Sequence, residues 1–128
     1  MRRGFFLPIL LCSAACAASK PDIIQVGPWF PARPVEEVRV FSVREETTRP
    51  WGAIAIIHSD NFPSEKKSAL LRQKKLARAL AAGAGADGVI IAEETVKNVP
   101  GQGESQVQET YISAMAFKYA TDISTAAR

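Results

Sequence analysis

Period-two alternation marks the first regular element of the chain. Val38, Val40 and Ser42 interleave with Arg39, Phe41 and Val43, the pattern of a half-buried strand. The domain is expected to begin near Val35, and the polar run from Glu45 to Pro50 ends this strand. Trp51 to Ile57 is almost continuously apolar and predicts a second, central strand, closed by a turn from His58 to Pro63. Ser64 stands where an N-cap is needed, and Glu65 follows in the first turn, where the helix dipole favours negative charge. The helix should then run to about Ala82. Its spacing collects Ala69, Leu70, Gln73, Leu76, Ala77, Leu80 and Ala81 on one face, and Lys67, Arg72, Lys74, Lys75 and Arg78 on the other. Gly83 and Gly85 supply the stop.

After Asp87 and Gly88 the short apolar run Val89 to Ala92 predicts a third, buried strand. A loop is expected from Asn98 to Glu104, around Pro100, Gly101 and Gly103. A long fourth strand should extend from Gln106 to Tyr119. It sets Tyr111, Ser113, Met115, Phe117 and Tyr119 on one face and Ile112, Ala114, Ala116 and Lys118 on the other. The order is ββαββ: an α+β, two-layer sandwich in which one helix covers a four-stranded sheet. The strands flanking the helix are candidates for a parallel, right-handed crossover. Residues 120–128 form a polar tail expected to fray.

The N-terminal pattern is of another kind. Met1-Arg2-Arg3 is basic, and Gly4 to Leu11 is apolar but far short of the roughly 20 residues needed to span a bilayer. Small residues then precede Cys16, which describes an export signal rather than a structural helix. The signal resembles those of bacterial lipoproteins, in which small residues precede a cysteine that is lipidated after cleavage. Ala14, Ala15 and Cys16 match, while Ser13 occupies a position where an apolar residue is usual. The resemblance implies a signal peptide over residues 1–15 and acyl chains on Cys16. Cys12 fits less well, because Leu11 would occupy the cleavage position. The alternative is an ordinary secretory signal cut after Ala17 or Ala18. Several acyl chains would anchor stably, since each buried CH₂ contributes about 0.8 kcal/mol. Ala17 and Ala18 lack the aspartate that resembles an inner-membrane retention signal, so the outer membrane is expected, with the domain facing the periplasm. Residues 16–34 contain Pro21, Pro28, Pro31 and Pro34 and predict an extended, lipidated spacer. Within it, Trp29 and Phe30 are expected to pack on the domain edge, with partner binding as the alternative.

The cleaved signal changes the charge. Lys+Arg 16 against Asp+Glu 13 gives +3, and loss of Arg2 and Arg3 lowers this to +1 (14 minus 13). That balance gives no case for nucleic-acid binding, which needs a clustered basic surface on a strongly basic domain. Both cysteines lie in residues 1–16, so residues 17–128 have no disulfide and no thiolate for metal or nucleophilic work.

The stretch from Leu76 to Ile90, with its Gly85-Ala86-Asp87-Gly88-Val89 turn, is similar to the helix-to-strand junction of the RcsF and YbjQ group of small bacterial domains. Trp51-Gly52-Ala53-Ile54 resembles that group's glycine-bearing second strand. The likeness extends over residues 35–119. It implies a sheet-plus-helix domain, in the RcsF branch sometimes lipid-anchored and tied to envelope stress sensing. Two departures stand beside it: RcsF-like domains carry disulfides, and Ile112-Ser113-Ala114 replaces the group's Gly-Thr/Ser-Ala pattern.

No catalytic constellation emerges. Gly83, Gly85 and Gly88 spell a dinucleotide fingerprint, but in the order helix, loop, strand, which offers a phosphate the negative end of the helix dipole. His58, Ser59 and Asp60 have a hydrolase's residue types, yet consecutive turn residues do not form the required relay. One histidine nominates no metal site, and no cofactor is implied. The expectation is a non-enzymatic, lipid-anchored envelope protein acting as a tethered interaction or stress-sensing module. Its partners would be the membrane, through Cys16, and an envelope protein. The alternative is a periplasmic protein that binds a small ligand or metal. The basic helix residues, Lys66 included, are read mainly as a solvated face, with anionic headgroups as the sharper possibility.

Overall fold

The computed structural model describes residues 19–96 and 108–120. The chain order is β1 (Asp22–Gln25), β2 (Arg39–Phe41), β3 (Trp51–His58), β4 (Phe62–Pro63), α1 (Lys67–Gly83), β5 (Gly88–Val96) and β6 (Glu109–Tyr119). Short 3₁₀ turns stand at Val35–Glu37 and Arg44–Glu46. The signal, Cys16, the loop expected from Asn98 to Glu104, the first residues of the last predicted strand and residues 121–128 lie outside the described residues.

The fold is α+β, with one helix and one mixed sheet. The sheet has six strands among the described residues, not four. Their order is β1-β3-β6-β5-β2, with β4 also paired to β6. β6 is central and runs antiparallel to β3, β4 and β5. β3 and β5, the long strands before and after the helix, are therefore parallel in direction but separated by β6. β2 pairs parallel to β5. The first predicted strand is shorter than expected, because Val35–Glu37 closes a turn after Pro34 before extended pairing begins at Arg39.

The largest correction concerns residues 19–34. Ile23 and Ile24 lie between prolines with their own N–H groups intact, and β1 pairs antiparallel with β3 over four residues. Beyond β1, Val26 and Gly27 donate to Ile54 O, Phe30 N to Ala84 O and Arg33 N to Ala82 O. A segment predicted as a spacer is thus part of the fold. Proline spacing revealed its extended backbone, but not the unpaired β3 edge that captures it.

The helix differs at its start. Ser64 Oγ pairs with Thr110 Oγ1 at 2.6 Å rather than with the helix. The N-cap position falls to Lys66, which makes no capping bond. The rest of the apolar face is as the periodicity predicts. Gln73, Ala77, Ala81 and Ala82 are buried, and Leu70 and Leu80 pack beside them against Ile54, Ile57, Val89, Ile91, Ile112, Ala114 and Ala116. Alanines at the contact let α1 lie close on the sheet.

The turn after α1 is built on Gly85, whose φ is +76°, and on Asp87. The Asp87 side chain, 10% exposed, accepts from Arg33 Nη1 at 2.5 Å and Lys118 Nζ at 3.2 Å. It also accepts from the Tyr119 backbone N–H at 2.9 Å. One carboxylate therefore ties the docked N-terminal segment to β6.

Candidate interaction face

With α1 on one side, the other side of the sheet is left to its own side chains. The period-two alternation of β6 puts Ser113, Met115, Phe117 and Tyr119 there, and pairing aligns Ile90 with Met115 on β5 and Ile56 with Met115 on β3. One end of this face is closed by aromatics. The Phe117 ring lies 5.1 Å from Trp51, 5.8 Å from Phe41 and 5.6 Å, edge-on, from Tyr119.

The chain from Ser42 to Pro50 joins β2, at one edge, to β3 across this face. Trp51 Nε1 donates to Thr47 Oγ1 at 2.8 Å, and Thr47 Oγ1 donates to Arg44 O at 2.6 Å, pinning the crossing segment. Arginines lie over the rings beneath it. Arg44 is 5.4 Å from the Trp51 centroid, Arg39 is 5.5 Å from Phe41 and Arg49 is 3.8 Å from Tyr119. Such contacts are each worth about 0.5–1 kcal/mol at exposed sites.

Beyond the crossing segment the face is open. Val43, Arg44, Ile56, Ile90, Ser113 and Met115 line a hollow of about 400 Å³. Val43 is 48% exposed, and on the neighbouring β1 Ile24 is 57% exposed. Apolar side chains next to a guanidinium on a broad sheet face suit an amphipathic partner surface better than bulk water.

The residues singled out in the sequence fall in different places. Cys16 lies outside the described residues; three positions later, Ser19 O accepts from Gln73 Nε2 at 3.3 Å. Phe30 packs on the core as expected, whereas Trp29 is 43% exposed and is held to the domain by Nε1 donating to Ile54 O at 3.0 Å. The three glycines act separately. Nothing lies within 4 Å of a Cβ placed on Gly83, whereas one on Gly85 would meet Phe30 and Pro31 at 2.7 Å. A Cβ on Gly88 would strike the Phe117 ring, 2.9 Å from its Cε1.

His58 is exposed at the end of β3, its ring 6.1 Å from Tyr111. Ser59 Oγ accepts from Ile112 N at 2.8 Å, tying the turn between β3 and β4 to β6. Glu93 pairs with Lys74. No group of three or more His, Cys, Asp or Glu side chains is placed to hold a metal among the described residues. Nor is any helix among them long and apolar enough to cross a membrane. Sequence reasoning missed the crossing segment's arginines. A period-two reading assigns Val43 to a strand and gives no sign that the chain turns there to cross the sheet.

No family model matches the chain, and no curated protein matches it. Among solved structures it is similar to the crystal structure of a Francisella virulence factor, FvfA, in its orthorhombic form. The TM-score is 0.50 at 16% identity, over 76% of this chain and 96% of that one. That likeness concerns the fold alone.

Proposed function

We propose that this protein is a two-layer, lipid-anchored envelope module that is not an enzyme. It would be held at the outer membrane by an acylated Cys16 and bind a partner protein through the open sheet face, as a stress-sensing or docking element. The observation that carries this reading is the uncovered apolar face beside the Ser42–Pro50 crossing, where Val43 and Met115 are accessible next to Arg44. The lipobox-like Ala14-Ala15-Cys16 supports the anchor. The Gly85 to Val89 turn supports kinship with the RcsF and YbjQ group. A second reading rests on the hollow itself, whose volume of about 400 Å³ lies within the roughly 300–1,000 Å³ range of small-molecule sites. The partner would then be a small apolar ligand.

A photo-crosslinking side chain at Val43 or Met115 should give a discrete protein adduct in intact envelopes. Val43→Glu combined with Met115→Glu should abolish an adduct formed from Ile24. A chain without an adduct, whose melting temperature rises with a small ligand, would replace the protein partner by that ligand. Mass spectrometry of the exported chain should find acyl mass on Cys16, and an unmodified N-terminus at Ala18 or Ser19 would remove the anchor.

A further inference from the structure

An extended proline-rich spacer over residues 17–34 would hold the domain far from the bilayer, since about 3.1 Å per residue amounts to roughly 55 Å. The docked N-terminal segment removes most of that distance. Pro21 is buried, Lys20 and Pro21 lie beside Leu76, Ala79 and Leu80, and Ser19 O is bonded to Gln73. Cys16 is three residues before Ser19, a reach of at most about 11 Å. The chain therefore enters the described domain at Ser19 beside α1, on the side of the sheet opposite the open face.

The outer surface of α1 has matching chemistry. The helix sequence contains five cations and no acidic residue. Two of the cations are engaged by the domain: Lys74 pairs with Glu93, and Arg78 donates to Val38 O at 2.9 Å and Glu36 O at 3.2 Å. Lys67, Arg72 and Lys75 are exposed. At about 100° per residue they surround Leu71, which at 67% is the most exposed of the large apolar side chains described. Lys66 extends the group at the start of the helix, where Glu65 is the neighbouring carboxylate. A single exposed leucine needs no explanation. A leucine ringed by cations, on the face beside a lipid attachment point, has the composition of an interfacial helix.

We propose that α1 docks on an anionic phospholipid surface. Leu71 seats among the headgroups, and Lys66, Lys67, Arg72 and Lys75 meet their phosphates. The helix layer then faces the bilayer, and the open sheet face points away from it toward partners. The inference deepens the function proposed above and rests on its Cys16 anchor for position, but not for chemistry.

The test uses the mature chain from residue 16 onward with Cys16→Ser, so that binding depends neither on acylation nor on the basic, apolar signal of residues 1–15. It should partition onto vesicles of phosphatidylglycerol and phosphatidylethanolamine in equal amounts, and not onto phosphatidylcholine vesicles. Replacing Lys67, Arg72 and Lys75 together by Gln should lower partition on the order of a hundredfold, at about fivefold per cation near the surface. Lys67→Arg with Lys75→Arg should preserve it. Leu71→Ser should weaken binding at low and high salt alike, because its apolar contribution is not screened. Circular dichroism should show all variants folded, since each changed side chain is exposed. Equal partition onto both vesicle types, or full binding by the triple variant, would overturn the inference. Failure of acylation would appear in the mass of the exported chain and leave these vesicle results unchanged.

Discussion

A Cβ on Gly85 would meet Phe30 Cβ and the Phe30 and Pro31 carbonyl oxygens at 2.7 Å, and φ there is +76°. Both the backbone angle and the close approach therefore exclude a side chain. Gly83, two residues earlier, ends α1 with open space around it. Gly85→Ala is expected to lower unfolding free energy by about 2 kcal/mol or more in urea titration, from αL strain alone. Gly83→Ala should be neutral or stabilising by up to about 1 kcal/mol, because alanine is the better helix former. Equal losses at the two positions would mean that Gly85 does not hold the left-handed backbone angle described. The Phe30 segment supports a second measurement. Phe30 packs on the core and its ring lies 4.9 Å from Lys118 Nζ. Phe30→Ala should cost about 3 kcal/mol by the same titration; a residue in a free spacer would show no change.

At the scale of elements, α1 is well placed and poorly capped. Its apolar stripe is legible in the sequence because a period of 3.6 residues needs no knowledge of the sheet beneath. Its start is not legible, because Ser64 is withdrawn to Thr110 on β6 by the β4–β6 pairing, a contact across 46 positions. The N-cap position is left to Lys66, without a side-chain bond. Lys66→Ser should raise stability by about 1 kcal/mol, read as a higher calorimetric melting temperature. No gain would show that the first turn is satisfied in another way. β1 escaped sequence reading for a related reason. Four residues between prolines form a strand only when a neighbouring edge offers partners, and β3 offers one.

At the scale of the whole molecule, the sheet has two faces in different surroundings. One is filled by α1 and the aliphatic core. The other is half closed by aromatic rings and the arginines lying over them, and half open beside Val43 and Met115. Partner crosslinking from the open face and vesicle binding by the helix face test opposite sides of the same domain. The docked N-terminal segment starts beside α1 at Ser19 and pairs with the β3 edge through β1. Asp87 holds that arrangement from the opposite end of the segment, through Arg33 and Lys118.

The sequence by itself determined the α+β class, the single amphipathic helix, the buried run after Asp87 and the alternating faces of the last strand. Each is a local periodicity of apolar residues, and burial enforces it wherever the element packs. Its export-signal pattern, with the resemblance of Ala14-Ala15-Cys16 to lipoprotein signals, nominated an anchor. Only the tertiary structure decided that residues 19–34 belong to the domain, that Asp87 joins Arg33 to Lys118, and that the Ser42–Pro50 crossing leaves half of one face open. Those features depend on hydrogen-bonding edges and charges brought together from distant positions, and no local pattern along the chain encodes which of them will meet.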